Sequence, residues 1–245
     1  NYEKALYYTE DNFDILNNLY LAYYNLKNFQ KAEECLTKLK EIKEKEKLLE
    51  NPIYKIRFLL NQNKIEEAEK IINQIDDNKQ RTILKIFLNY IKKREIELLN
   101  YEPKNFVNVQ PIDINHFINY LYYFKNRNYK SAFEALKSAY ISSSCSQFYL
   151  KEIALFFKNT NQIKNGIEFL KNQLLTNPFK NKNYIEFLIG NLYYLNEQYN
   201  TAIEYYNLVL KNNKDFQPAI KNLIITLIKT DNEDEAMYYL NNYEG

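Results

Sequence analysis

Residues 184–213 read YIEFLIGNLYYLNEQYNTAIEYYNLVLKNN, and this stretch decides the fold. Apolar side chains recur at Ile185, Leu188, Ile189, Leu192 and Leu195, and again at Tyr199, Ala202, Ile203, Tyr206 and Leu210. Both sets follow the i, i+3, i+4, i+7 spacing of a helix with one buried stripe. The polar residues 196–200 separate them as a turn. Gly190 and Ala202 carry little or no side-chain bulk, so two helix axes can approach closely at those points.

The small residue recurs along the chain. Ala236 lies 34 residues beyond Ala202, and Gly166 lies 36 before it. Ala132 lies 34 before Gly166, and Ala68 and Ala32 are 36 apart. Between Ala68 and Ala132 there is room for one shorter unit, which KREIELLNY supplies with Leu99 in the small-residue slot. Seven helix–turn–helix units then tile the chain, beginning near Phe13, Leu49, Gln80, Asp113, Gln147, Asn183 and Gln217. Residues 2–8 look like the second helix of an earlier, partial unit, with Tyr2 and Ala5 at the spacing of Tyr199 and Ala202.

This array resembles the tetratricopeptide repeat, a helix–turn–helix unit of about 34 residues. With Ala202 as the family's central small residue, Gly190 falls on its glycine and Tyr193 on its first tyrosine. Tyr199 and Tyr206 fall on its turn and second-helix aromatics. Two positions depart: Glu186 stands where the family has tryptophan, and Lys214 where it has proline, with Pro218 four residues late. The expected fold is all-α, a right-handed α-solenoid of about seven repeats.

Two prolines and no helical period mark residues 102–111. The expected division is therefore an N-terminal repeat block over 1–101, a connector over 102–112 and a C-terminal block over 113–245. The mixed-charge run 40–50 reads as a solvated helical end, because its signs alternate.

Composition narrows the function. Three Gly and five Pro in 245 residues argue against a glycine-rich phosphate loop and against many hairpins. The single histidine, His116, sits at the family tryptophan position of the fourth repeat, a packing site rather than a catalytic one. No HExxH, CxxC or GxxxxGK[ST] pattern occurs. The acidic cluster 231–235 lacks the glycine and distal glutamate of a calcium loop, and at the start of a helix its acids suit the dipole. The reading is non-enzymatic, without cofactor or metal. Cys35 and Cys145 lie several helices apart, too far for a bridge that needs Cα atoms within about 7 Å.

Thirty-three basic and 31 acidic residues give a formal net charge of +2, and that near-balance argues against a nucleic-acid partner. No run approaches the ~18 apolar residues of a membrane span. The chain opens on Asn1 and its one methionine is Met237, so a leader, an anchor or a further domain is expected outside it, and the compartment stays unassigned. The last repeat ends on Gly245 without a polar capping helix, so the expectation is either that the chain continues in the full protein or that its open C-terminal face docks on a partner.

By resemblance, the first helix of each repeat lines a groove through its second, fifth, sixth, ninth, twelfth and thirteenth positions. The fourth repeat then presents Ile114, Phe117, Ile118, Leu121 and Phe124. The fifth presents Phe148, Lys151, Glu152, Leu155, Lys158 and Asn159, and the sixth Tyr184, Phe187, Leu188, Asn191, Tyr194 and Leu195. One family subtype clamps a peptide carboxylate with Lys then Asn in one repeat, Asn in the next, and Lys with Lys or Arg in the third. The corresponding residues here are Asn17, Leu21, Tyr54, Arg81 and Lys85, of which only the last two match, so no such clamp is expected. The resemblance implies a scaffold that binds a protein or peptide in the groove. The alternatives are an RNA-binding helical-repeat protein, or an assembly or regulatory subunit attached to an enzyme or a membrane anchor outside this chain.

Overall fold

The computed structural model describes residues 13–25, 28–41, 51–93, 101–176 and 181–242. Among them are thirteen α-helices and one 3-10 turn, and no strand. Two compact units divide the chain, Asn1–Asn126 and Arg127–Gly245.

The first unit contains α1 (Phe13–Asn25), α2 (Phe29–Glu41), α3 (Pro52–Asn61), α4 (Ile65–Asn73), α5 (Asn78–Lys93), the 3-10 turn (Pro103–Phe106) and α6 (Ile112–Lys125). The second contains α7 (Tyr129–Ser142), α8 (Gln147–Asn159), α9 (Ile163–Thr176), α10 (Lys182–Leu195), α11 (Tyr199–Asn212), α12 (Gln217–Lys229) and α13 (Glu233–Asn242). From α7 to α13 each helix packs on the next, and α8 also packs on α10, and α10 on α12. This is the neighbour pattern of a helical-repeat stack, in which first helices lie beside first helices.

One turn recurs through both units. The residue five before the small one takes a left-handed conformation: Asn63, Arg127, Asn161, Glu197 and Asp231, with φ between 56° and 60°. The next N–H closes a six-residue loop on the preceding helix, from Lys64 to Leu59, Gln162 to Phe157, Gln198 to Tyr193 and Asn232 to Leu227. These bonds satisfy carbonyls that a helix C-terminus leaves open. Then the small residue's own N–H bonds four residues back and starts the second helix, as at Ala68, Ala132, Gly166, Ala202 and Ala236.

The small residues sit where helices meet. Ala32, Ala68, Ala132 and Ala202 have no exposed surface, and Ala236 has 2%. A Cβ on Gly190 would lie 2.8 Å from the Tyr206 ring, and one on Gly166 would lie 2.8 Å from Cβ of Phe157. The slot assigned to Leu99 and the partial repeat at Tyr2–Ala5 lie outside the described residues.

Residues 101–111 belong to the first unit and pack on α6. Tyr101 stacks on Phe106 at 4.6 Å, and its hydroxyl donates to the side-chain oxygens of Asn115 and Asn119. The Asn115 amide donates to the carbonyls of Phe106 and Val109. An irregular backbone stretch thereby finds partners for its polar groups on the helix beside it. Neither cysteine is in a disulfide; Cys35 is buried and Cys145 half-buried.

Candidate functional site

The predicted side chains fall into two groups. Ile114, Phe117, Ile118 and Leu121 on α6 are at most 1% exposed. Phe117 lies edge-on to Phe87 and Tyr90 of α5, at 5.7 and 5.2 Å. These four side chains are core of the first unit, filled by α5 from within it, and Phe124 alone of the five is half-buried. Arg81, from the clamp comparison, donates to the carbonyl of Ile75 at 2.6 Å and is occupied locally.

On the second unit the same helical positions do reach the surface. Along α8, Phe148 and Leu155 are half-buried, and Lys151 and Lys158 are exposed. On α10, Tyr184, Asn191 and Tyr194 are half-buried, whereas Phe187 and Leu188 turn inward. Phe187 packs against Phe216 at 5.3 Å and Tyr206 at 6.2 Å. Burial, then the charge of Glu152, pushes the Tyr184 hydroxyl up to about 12, so it stays a protonated donor.

The first helix of the last repeat adds residues that the carried-over groove did not include. Lys221 and Lys229 are exposed on α12, and Ile225 and Ile228 are 52% and 53% exposed between them. The signal for them was already in the chain, since Ala236 fixes the register of this repeat as firmly as Ala202 fixes the sixth. Asn222, half-buried on α12, donates to Oδ1 of Asn191 at 2.7 Å. Tyr206 donates its hydroxyl to the same oxygen at 2.9 Å. With Oδ1 held twice, the Asn191 amide is oriented, and among the described residues its Nδ2 meets no acceptor.

Net charge conceals how the charges are arranged. From α3 onward the first helices carry three carboxylates, Asp113, Glu152 and Glu186, and all are 3% exposed or less. Every exposed charge described on α8, α10 and α12 is a lysine: Lys151, Lys158, Lys182, Lys221 and Lys229. The exposed acids of the second unit's helices lie on its second helices, at Glu134, Glu168, Glu204, Glu233, Asp234 and Glu235. In the first unit two cations are paired with carboxylates, Arg57 with the buried Asp113 at 2.5 Å and Lys92 with Glu69 at the surface at 2.6 Å. Among the described residues, no carboxylate pairs with Lys151, Lys158, Lys221 or Lys229.

Glu186, in the family's tryptophan slot, is 3% exposed, and its Oε2 has no hydrogen-bond partner among the described residues. Burial raises its carboxyl above the usual range, against the pull of Lys182 at 3.8 Å. His116 is half-buried, and burial lowers its imidazole, opposed by Asp113. Among the described residues no three His, Cys, Asp or Glu side chains gather as a metal site, and no helix is long and apolar enough to cross a membrane. A depression of about 330 Å³ lies at the α10–α11 turn against Thr230, and none of the side chains predicted for the groove lines it.

No family model matches the sequence, and no curated protein matches it. Solved structures do share its fold. A human IFIT1 dimer with m7Gppp-AAAA aligns with a TM-score of 0.52 at 17% identity, over 98% of this chain and 62% of that one. A human IFIT1 dimer with PPP-AAAA aligns at 0.50 and 18%, over 93% and 59%. An IFIT1 monomeric mutant with Gppp-AAAA aligns at 0.52 and 17%, over 93% and 58%. The chain therefore spans about three fifths of these relatives' length. At such identities the likeness is one of architecture, and it agrees with the recurring turn and the first-helix neighbours: the chain is an all-α helical-repeat solenoid.

Proposed function

We propose that this chain is a non-catalytic helical-repeat scaffold that holds a macromolecular partner on the first-helix face of its second unit. The observation that carries the reading is the side-by-side packing of α8, α10 and α12. Their outer surface offers half-buried rings, an oriented asparagine amide and exposed lysines in one register. Large apolar side chains such as Ile225 and Ile228 in the open are more often covered by a partner than left to water. Aromatic anchors of the kind Tyr184 and Tyr194 supply carry much of the energy in many interfaces.

The resemblance to tetratricopeptide repeats favours a peptide or protein partner, laid along a preformed surface. A second reading, an RNA partner, is favoured by the structural neighbours, whose structures contain m7Gppp-AAAA and PPP-AAAA. Either way the face is the same, and a test of the face comes first. A photo-crosslinking residue at position 158 or 225 should trap a partner in cell extract. The same group at position 164, on a second helix, should trap none. Equal trapping at all three positions would remove the face from consideration.

A further inference from the structure

We infer that the first-helix face of the second unit binds single-stranded nucleic acid, with Lys151, Lys158, Lys221 and Lys229 meeting phosphates and the rings between them meeting bases. The inference rests on the face being the partner surface and adds the partner's chemistry. Its ground is charge segregation. Across α8, α10 and α12 the carboxylates are buried and the exposed charges are all positive. A protein or peptide of ordinary composition brings cations as well as anions, and its cations would find nothing here to pair with. A nucleic-acid strand carries one negative charge at every residue and asks for nothing else.

The placement of the lysines fits a strand. Lys151 and Lys158 are seven residues apart on α8, and Lys221 and Lys229 eight apart on α12. At 1.5 Å per residue each pair spans roughly 10–12 Å along its helix. Helix α10 lies between α8 and α12, and with axes about 8–10 Å apart the two lysine rows stand roughly 16–20 Å from each other. The strip between the rows carries Tyr184, Tyr194 and the oriented Asn191 amide. Tyrosine faces give bases a stacking platform that tolerates any sequence. The Asn191 Nδ2, which meets no acceptor among the described residues, is a donor for a base or phosphate oxygen. Mixed charge on the second helices keeps the whole molecule near neutrality, which is why a net charge of +2 gave no hint of this face.

The test uses the full chain and fluorescence anisotropy with three labelled probes: oligouridylate RNA, oligothymidylate DNA and a polyglutamate peptide. One variant replaces the face lysines, K151E/K158E/K221E/K229E. A charge-matched control changes second-helix lysines, K130E/K137E/K164E/K211E. Circular dichroism establishes that both remain helical, and K151Q/K158Q/K221Q/K229Q replaces the first variant if it does not fold. The chain should bind a strand, RNA or DNA, more tightly than polyglutamate. Four phosphate contacts at a slope near −0.7 each predict a loss on the order of 50-fold between about 50 and 200 mM salt. The face variant should lose at least tenfold in affinity, and the control less than about threefold. Binding of polyglutamate but of neither strand would overturn the nucleic-acid assignment and leave the face standing. Strand binding that survives in the face variant, or falls equally in the control, would overturn both. No binding to any probe would overturn the inference.

Discussion

Helices α6 and α10 occupy the same place in the repeat and put it to different uses. Positions two, five, six and nine of the fourth repeat are Ile114, Phe117, Ile118 and Leu121, all packed out of reach of solvent. On α10 the same positions are Tyr184, Phe187, Leu188 and Asn191, and the two polar-tipped ones stay half-buried. The difference lies in the residues and in their neighbours. On α6 the helix beside it, α5, sends Phe87 and Tyr90 onto Phe117. The irregular residues 101–111 also fold onto α6, tied by Tyr101 and Asn115. On α10 a tyrosine and an asparagine hold the outer positions, and both keep part of their surface exposed. Repeat register fixes where a Cα sits, while the neighbouring side chains decide whether that position becomes core or surface.

The most damaging way to probe the comparison is to truncate the buried member. Phe117→Ala removes a ring with no exposed surface and leaves a cavity against Phe87 and Tyr90. The expected loss is about 3–5 kcal/mol, read as a fall in the urea midpoint. A loss below about 1 kcal/mol would mean that Phe117 faces outward after all and belongs with α10's surface residues.

Overpacking the shared turn comes next. Ala202→Leu places three extra carbons where Ala202 is fully buried, and should cost about 1–3 kcal/mol. Ala68→Leu in the first unit should cost a similar amount, because Ala68 holds the same slot, equally buried. A large effect in one unit and none in the other would show that the repeat is not equivalent in both, whatever the sequence period says.

Much of this was legible in the chain. The 34- and 36-residue spacing of Ala32, Ala68, Ala132, Gly166, Ala202 and Ala236 marks the turn, because only small residues fit where those helices meet. Burial of α6 was not legible in the same way. Its groove pattern of large apolar residues is the pattern of a core helix too, and period alone does not separate them. The cationic face was hidden for another reason. Net charge sums over second helices that point elsewhere, so the segregation appears only when charges are sorted helix by helix. Lys221 and Lys229 needed only the seventh repeat's register to be extended to its first helix.

Glu186 supplies a pH-dependent test of α10. Its carboxyl is buried without a full set of partners, and burial raises it above the ordinary carboxylate range of about 4. A group raised in the folded state binds its proton more tightly there than in the unfolded chain. Its contribution to stability is therefore full below the unfolded value and is lost as pH rises through the folded one. Glu186→Gln keeps the shape and removes the charge. The variant's denaturation midpoint should gain on the native protein's as pH goes from about 4 to about 7. A midpoint that falls further behind at neutral pH would mean that the contact with Lys182 outweighs the burial.

The smallest expected effect is the sharpest discriminator between α6 and the open face. Ile225 is position nine of the seventh repeat, as Leu121 is position nine of the fourth. Leu121 is 1% exposed and Ile225 is 52% exposed. Leu121→Ser buries a hydroxyl and opens a cavity, and it belongs with the severe core losses. Ile225→Ser replaces an apolar side chain that is mostly in water, and surface changes of that kind stay within about 0.5 kcal/mol. Thermal melting of the two single variants therefore separates them by several degrees. An Ile225→Ser protein that melts with the native one, yet loses the crosslink expected at this face, would place position nine of α12 in the partner surface. If Ile225→Ser instead melts as early as Leu121→Ser, the α12 face is core, and Lys221 and Lys229 would border packed structure rather than a binding strip.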